Sequence, residues 1–397
     1  MLVADNYHLT YCTNIHPGEN WQVTFDNLKR YVPLVKKQVS DNRRFGLGLR
    51  LSNTASKELG FGHNLEEFKQ WLEINEVYVF TMNGFPYGNF HGESVKENVH
   101  SPDWTTTERL EYTKRLFQQL AYLLPDGING GISTSPISYK HWFKNEKALE
   151  EAKQIGAEQM LTVAIQLYEI ERRTGKYLHL DIEPEPDGVL ENSHEVILYY
   201  KDYLVPIGLE KLSLELGLGL EEAERLIKRY LTVCYDICHF SLAYEPPEDT
   251  FSRFLTNDII VGKIQVSAAL KILFGDIENE TIWNYLKRFN EPTYLHQVTA
   301  LVEDGVKTYS DLPEVINSKI QTDELRAHFH VPIFLEQFLP LYSTQDQILN
   351  VLVYLKKNRV CEHLEVETYT WDVLPSELKL DISQSIVREL NWLKERL

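Results

Sequence analysis

Sulfur is scarce in this chain, with four cysteines and three methionines among 397 residues. Cys234 and Cys238 have no second thiol pair to complete a tetrahedral set, which argues against a structural zinc knuckle. Together with Cys12 and Cys361 they read as buried free thiols, as in a reducing compartment. No apolar run reaches the ~20 residues that span a bilayer. The first residues, Met1 to His8, lack the basic region and apolar stretch of a secretion signal. Positive charge is also short: 40 Lys and Arg against 58 Asp and Glu leave a formal net charge of −18. Clusters such as Lys36-Lys37 and Arg43-Arg44 are too brief to make a basic stripe, so no nucleic-acid partner is expected. Low-complexity tracts, repeats and Pro/Gly/Ser linkers are missing, so one domain over residues 1–397 is the economical reading. The expectation is a soluble, acidic, cytoplasmic protein without a membrane span.

What is present is ample core material, 43% hydrophobic and 12% aromatic. Short β-type runs alternate with amphipathic helical patterns along the whole length. The strand candidates are Tyr7–Thr13, Phe45–Leu51, Glu76–Met82, Gly130–Thr134, Tyr177–Glu183, Thr232–Ile237, Gly262–Val266 and Leu364–Thr368. Helical spacing marks Val23–Val39, Leu65–Ile74, Thr106–Leu124, Lys147–Thr174, Glu221–Tyr230, Thr344–Lys357 and Ser383–Leu397. Alternation of this kind implies parallel strands with right-handed crossovers, and a count of eight implies a closed (β/α)8 TIM barrel. Two stretches break the rhythm. Residues Phe85–Asp103 form a loop rich in Gly, Pro, Asn and His. Residues 270–324 separate strands seven and eight and are expected to be a mostly helical insertion, with Ile282–Phe289 and Tyr294–Val302 as its clearest pieces.

In such a barrel the strand C-termini and the loops after them build the site. Several apolar strands here end in a metal-ligand type. Strand five ends in Glu183-Pro-Glu185-Pro-Asp187, strand six gives Asp236 and then His239, strand seven offers Gln265 and strand eight Glu367. Only one of Glu365 and Glu367 is expected to face the interior, with Glu367 favoured. Three acids meeting from separate strands repel one another unless a cation or proton offsets them. Structural ion pairing, with Lys263 as a nearby candidate, is the plain alternative. Oxygen and imidazole donors suit Zn²⁺, Mn²⁺, Mg²⁺ or Co²⁺. His328 and His330 lie two apart before strand eight, so an extended backbone turns both rings to one side. Isolated histidines such as His63, His100 and His194 read as solvated or core-satisfied, and His179 as a packing or hydrogen-bonding residue within its strand. Glu185 and Asp187 divide evenly between a site role and the polar side of a turn. Asn83, Tyr87 and His91 lie on a loop whose aromatic and hydrogen-bonding groups suit a small polyfunctional ligand. A cover loop without chemistry is nearly as good a reading.

These residues, in this order, resemble the xylose-isomerase-like TIM-barrel superfamily, which includes sugar isomerases, sugar 3-epimerases and endonuclease IV. The resemblance implies a divalent metal held by Glu183, Asp236, the strand-seven position and Glu367. The strand-seven position carries Gln265 here, where the superfamily has histidine. The segment Val233-Cys-Tyr-Asp236-Ile-Cys-His239 is similar to an endonuclease IV segment, which implies an outer ion at His239, His328 and His330. At finer grain, Tyr11-Cys-Thr-Asn-Ile-His16-Pro-Gly-Glu-Asn-Trp21 and Asn83-Gly-Phe-Pro-Tyr87-Gly-Asn-Phe-His91-Gly92 resemble the EboE family, barrel proteins linked to trafficking of secondary-metabolite precursors. That implies a small-molecule metabolite and partner proteins of the same gene cluster. By analogy with the isomerases, Glu183 and Glu367 would move a proton beside the metal, while His16 and His91 would contact substrate or a second metal. Metal-dependent phosphoester hydrolysis and non-catalytic metabolite binding are the competing expectations.

Overall fold

The computed structural model describes residues 1–4, 7–40, 42–88, 95–275, 277–338, 340–372, 374 and 381–397. Its frame is eight parallel strands: β1 Tyr7–Tyr11, β2 Phe45–Arg50, β3 Val77–Asn83, β4 Gly130–Thr134, β5 Leu178–Ile182, β6 Leu231–Asp236, β7 Val261–Val266 and β8 His363–Val366. Ladders join them in the order β1–β8–β7–β6–β5–β4–β3–β2, and the short strand Leu2–Val3 pairs antiparallel to β1. The remaining seam lies between β1 and β2. A parallel bridge from Cys12 to Gly48 spans it. Two hydroxyls complete the join, Thr10 Oγ1 accepting from Gly48 N–H at 2.9 Å and Thr13 Oγ1 from Arg50 N–H at 2.8 Å.

Seven of the eight strands are buried along their whole length and β1 at every position but His8, as parallel strands covered by helices must be. The helices begin at side-chain caps. Asn20 accepts from Val23 N–H, Thr106 from Arg109 N–H and Asn145 from Ala148 N–H. The longest, Glu146–Thr174, stops at Gly175, whose φ of +73° suits glycine.

The barrel interior is polar in its middle layer. Lys263 on β7 forms an ion pair with Glu365 on β8, and both side chains are fully buried. Room for that pair comes from Gly48, where a Cβ would collide with the Glu365 carboxylate. Glu365 and Glu367 therefore both face the interior, against the expectation that one would turn away. Residues two apart on a strand share a face, so Glu365 meets Lys263 in the barrel while Glu367 stands at the rim.

The insertion also departs from expectation. Residues 270–324 contain the helices Asn279–Leu286 and Leu312–Ser318 and the 3-10 turn Lys287–Phe289, but strands take a comparable share of the segment. Ala269–Leu273, Val298–Val302, Gly305–Tyr309, Glu324–His330, Gln337–Phe338 and Leu341–Ser343 form a second, antiparallel sheet. Tyr294–Val302 is thus strand at its end, because Val298 to Val302 pairs with Gly305 to Tyr309 across a two-residue turn. Gly305 supplies the positive φ, +124°, and β-branched Val298, Thr299, Val302, Val306 and Thr308 suit the pleat.

Candidate metal centre

Three strands deliver the acids. Glu183 follows β5, Asp236 ends β6 and Glu367 follows β8, and one donor oxygen from each lies within 4.8 Å of the other two. All three are buried. Glu367 Oε1 accepts from Asn14 Nδ2 at 2.7 Å and from Asn83 Nδ2 at 2.9 Å. Asp236 Oδ1 caps the short helix that begins at Ile237, accepting from His239 N–H at 3.1 Å, and also accepts from Ser267 Oγ at 2.7 Å. That leaves Asp236 Oδ2 and Glu183 Oε2 buried without a hydrogen-bond donor. Burial raises the Glu183 carboxyl well above the usual range, with Glu367 and Asp236 adding repulsion. Glu367 is pushed up to about 8 by burial, then by Asp236 and Glu365. Orphaned carboxylate oxygens that face one another need a shared cation or shared protons.

The histidines are prepared in a common way. His330 Nδ1 donates to the Glu367 carbonyl at 2.8 Å, and His239 Nδ1 to the Pro184 carbonyl at 2.9 Å. His328 Nδ1 faces Gln297 Oε1 at 2.9 Å, and the same amide's Nε2 donates to the Pro186 carbonyl, which fixes its orientation. Each ring nitrogen bound to a carbonyl oxygen must carry the proton, so each Nε2 presents a lone pair. His239 Nε2 and His328 Nε2 stand 3.1 Å apart. Two lone pairs at that separation repel unless a proton or metal lies between them, and two imidazoles on one tetrahedral zinc would sit about 3.3 Å apart. Burial holds His330 down to about 4 and His328 well below the ordinary imidazole value. Both are therefore neutral imidazoles at neutral pH.

The three histidines expected at the outer position, His239, His328 and His330, come within 4.8 Å of one another in pairs, each pair beside a further donor. His330 groups with Asp236 and His239, whereas His328 groups with Glu185 and His239. The two rings do share a side of their strand, with centroids 5.6 Å apart, and Phe329 turns away onto Phe289 and His296. His239 thus belongs to both sets, and Glu185 brings the carboxylate. Cys238 is also within reach of His328 and His330, but burial raises its thiol well above the ordinary value. All four cysteines are buried and unbridged.

The other anticipated residues fall into four cases. Gln265 pairs in register with Asp236, and both atoms of its buried amide have no partner. Its oxygen is available as a ligand from β7. Asn83 lines the mouth cavity through Glu367. His16 and Tyr87 do not line that cavity: His16 stacks on Tyr31 at 4.4 Å and meets Tyr11 Oη at 3.1 Å, while Tyr87 packs against Tyr112. Each is drawn away by an aromatic neighbour on a helix. His91 lies outside the described residues.

Several site residues were not signalled. His100, read as an isolated histidine, is 1% exposed and lies 2.8 Å from Glu185. Asn14, Gln297, Tyr294 and Tyr369 line the cavity too. Their roles depend on loops folding over the rim. Val95 N–H donates to the Thr293 carbonyl, and Lys96 Nζ reaches Asp311 at 2.7 Å, joining the loop after β3 to the insertion. The cavity measures about 70 Å³.

The eight parallel strands with helices around them define the fold class: this is a TIM barrel, similar in fold to solved xylose isomerase-like barrels. A xylose isomerase-like TIM barrel protein from Mycobacterium smegmatis, in complex with magnesium, superposes with a TM-score of 0.52 at 9% identity, covering 100% of this chain and 98% of its own. The probable 3-DHS dehydratase AsbF from Bacillus anthracis aligns at 0.47 and 12% identity, covering 99% and 100% of the two chains. An IolI protein with a bound zinc atom aligns at 0.46 and 12%, covering 97% and 95%. Likeness at these identities is one of fold. No family model matches the chain, and no curated protein matches it.

Proposed function

We propose that the chain is a divalent-metal-dependent protein acting on a small polar metabolite, with chemistry of the sugar isomerase and epimerase kind. The observation that carries this reading is the meeting of Glu183, Asp236 and Glu367 from three strands, with two orphaned oxygens between them. Glu183, Asp236, Gln265 and Glu367 would hold the ion, with His330 at its edge. A bound divalent ion would act there as a Lewis acid on a carbonyl and hydroxyl pair. Glu183 Oε2, without a hydrogen-bond donor, is the better placed group to take a proton from an adjacent carbon. Glu367 is held by Asn14 and Asn83 and serves as the fixed ligand. The structural neighbour that carries magnesium in its name supports a metal, and the two loop motifs support a place in metabolite traffic with proteins of the same cluster. The test is metal analysis of purified protein with Mn²⁺, Mg²⁺, Co²⁺ and Zn²⁺ titrations. The expected result is a bound ion that Asp236→Asn removes; a chain that takes up no divalent ion would overturn the reading.

A second reading is favoured by the facing Nε2 atoms of His239 and His328, 3.1 Å apart. With Glu185 they would hold a further ion, and two ions a few ångströms apart suit hydrolysis of a phosphoester. One ion per chain at saturation, or metal content unchanged in His328→Ala, would exclude it.

A further inference from the structure

We propose that Cys238 is a metal ligand, and that with His328 and His330 it makes the imidazole side of the rim a site for a thiophilic divalent ion, zinc or cobalt. This rests on the reading that an ion binds beside His328, and it adds which donors hold that ion and which metals they select. The sulfur of Cys238 and one ring nitrogen from each histidine lie within 4.8 Å of one another, and all three residues are buried. His330 Nδ1 is engaged with the Glu367 carbonyl and His328 Nδ1 with Gln297, so the nitrogens left to bind are the two Nε2 atoms. His330 Nε2 is buried with no hydrogen-bond partner. A tetrahedral zinc holds sulfur and nitrogen donors ~3.6 Å apart, which small side-chain rotations reach from the observed spacing.

The backbone fixes the position of the thiol. Cys238 lies in the first turn of the short helix Ile237–Leu242, which Asp236 caps. Its N–H donates to Ser267 Oγ at 2.9 Å, and its carbonyl accepts from Ser241 Oγ at 2.7 Å. The same Ser267 hydroxyl donates to Asp236 Oδ1 at 2.7 Å, so one side chain ties the carboxylate and the cysteine together. Cys238 packs with Leu242 and Ala269. A thiol buried against aliphatic carbon is common and inert, but one that also has two imidazole donors within 4.8 Å is placed as a ligand. Cys234, four residues earlier, joins no such donor group among the described residues.

Donor chemistry then divides the rim. The oxygens of Glu183, Asp236 and Glu367 suit magnesium or manganese, whereas sulfur with two imidazoles suits zinc and disfavours both of those ions. Burial keeps the thiol protonated without an ion. On binding, the S–H bond gives way to a sulfur–metal bond and the proton passes to solvent.

The test is a Co²⁺ titration of the full chain, read as the near-ultraviolet charge-transfer absorption of a cobalt–thiolate bond. The expected result is a band that saturates and that Cys238→Ser removes. The same substitution should weaken zinc by about 10-fold or more and leave manganese binding unchanged. Cys12→Ser, on the acid side beside Asn83, should keep the band. X-ray absorption at the zinc edge of the unsubstituted protein needs no variant and should show a sulfur at about 2.3 Å. Cobalt bound without the band, a band that survives Cys238→Ser, or a zinc shell of nitrogen and oxygen alone would overturn the ligand role and leave the metal reading standing. A chain that takes up neither cobalt nor zinc would overturn both.

Discussion

Glu183 and Glu367 hold protons where ordinary carboxylates would not, and that sets how a metal enters. Glu367 is raised to about 8 by burial and by Asp236, and Glu183 is raised by burial and by Glu367. An ion can take their oxygens only by displacing those protons. Loading zinc or manganese at pH 7 in a weak buffer should therefore release about one proton or more per ion. Glu367→Gln should reduce that release, and pH-stat titration measures it. His328 and His330 contribute little, because burial holds His328 well below the ordinary imidazole value and His330 down to about 4. Metal affinity should thus climb from pH 5 to 8 through the acids rather than through these two imidazoles.

Between residues and whole molecule, two contacts couple elements of the barrel. Lys263 on β7 and Glu365 on β8 pair with no exposure to water, so removing one partner leaves the other charge buried alone. Lys263→Met should cost about 3–5 kcal/mol in urea unfolding, and adding Glu365→Met should recover much of the loss. The second contact is Glu389 on the helix Ile382–Lys394, which accepts from Thr368 Oγ1 at 2.7 Å and from Ile333 N–H at 3.2 Å. Burial raises its carboxyl from 4.5 to about 8. The folded chain keeps a proton there that the unfolded chain releases. Stability therefore falls as pH rises from 4.5 to about 8, and this group contributes no slope below or above that window. The full drop is on the order of 5 kcal/mol. Glu389→Gln keeps the acceptor oxygen and loses the charge, so its stability should vary less across that window.

The same scale shows why the sequence disclosed some elements and not others. The eight barrel strands were legible because a parallel strand covered on both faces is an apolar run between turns, and each candidate overlaps a strand of the structure. The acids at their ends were legible for the same reason. The insertion was misread where Glu303-Asp304-Gly305 makes a hairpin, a turn signal outweighed by flanking residues that also suit a helix. Glu185 and His100 were obscured because neither stands on a strand. A proline-rich turn brings one to the rim and a loop brings the other, from positions 85 apart in the chain.

At the scale of the molecule, the rim is a carboxylate set, Glu183, Asp236 and Glu367, and an imidazole set, Glu185, His239 and His328, linked by Asp236, which also groups with His239 and His330. Oxygen donors favour magnesium or manganese, and imidazole favours zinc, so the two sets should fill at different concentrations. Each ion binds folded chain alone and stabilises it by RT ln(1 + [M]/Kd), about 2.7 kcal/mol at 100 times Kd. Unfolding followed across a zinc titration should therefore show two increments of stability. Asp236→Asn should abolish the increment of the carboxylate set and weaken the other through His239, whose backbone N–H it caps. His328→Ala should abolish only the increment of the imidazole set. Manganese should give the first increment alone. A single increment with either metal, removed equally by both substitutions, would mean one shared centre in which His239 and His328 serve the same ion as the acids. The 3.1 Å between their Nε2 atoms, and the separate partners Asp236 and Glu185, argue for two.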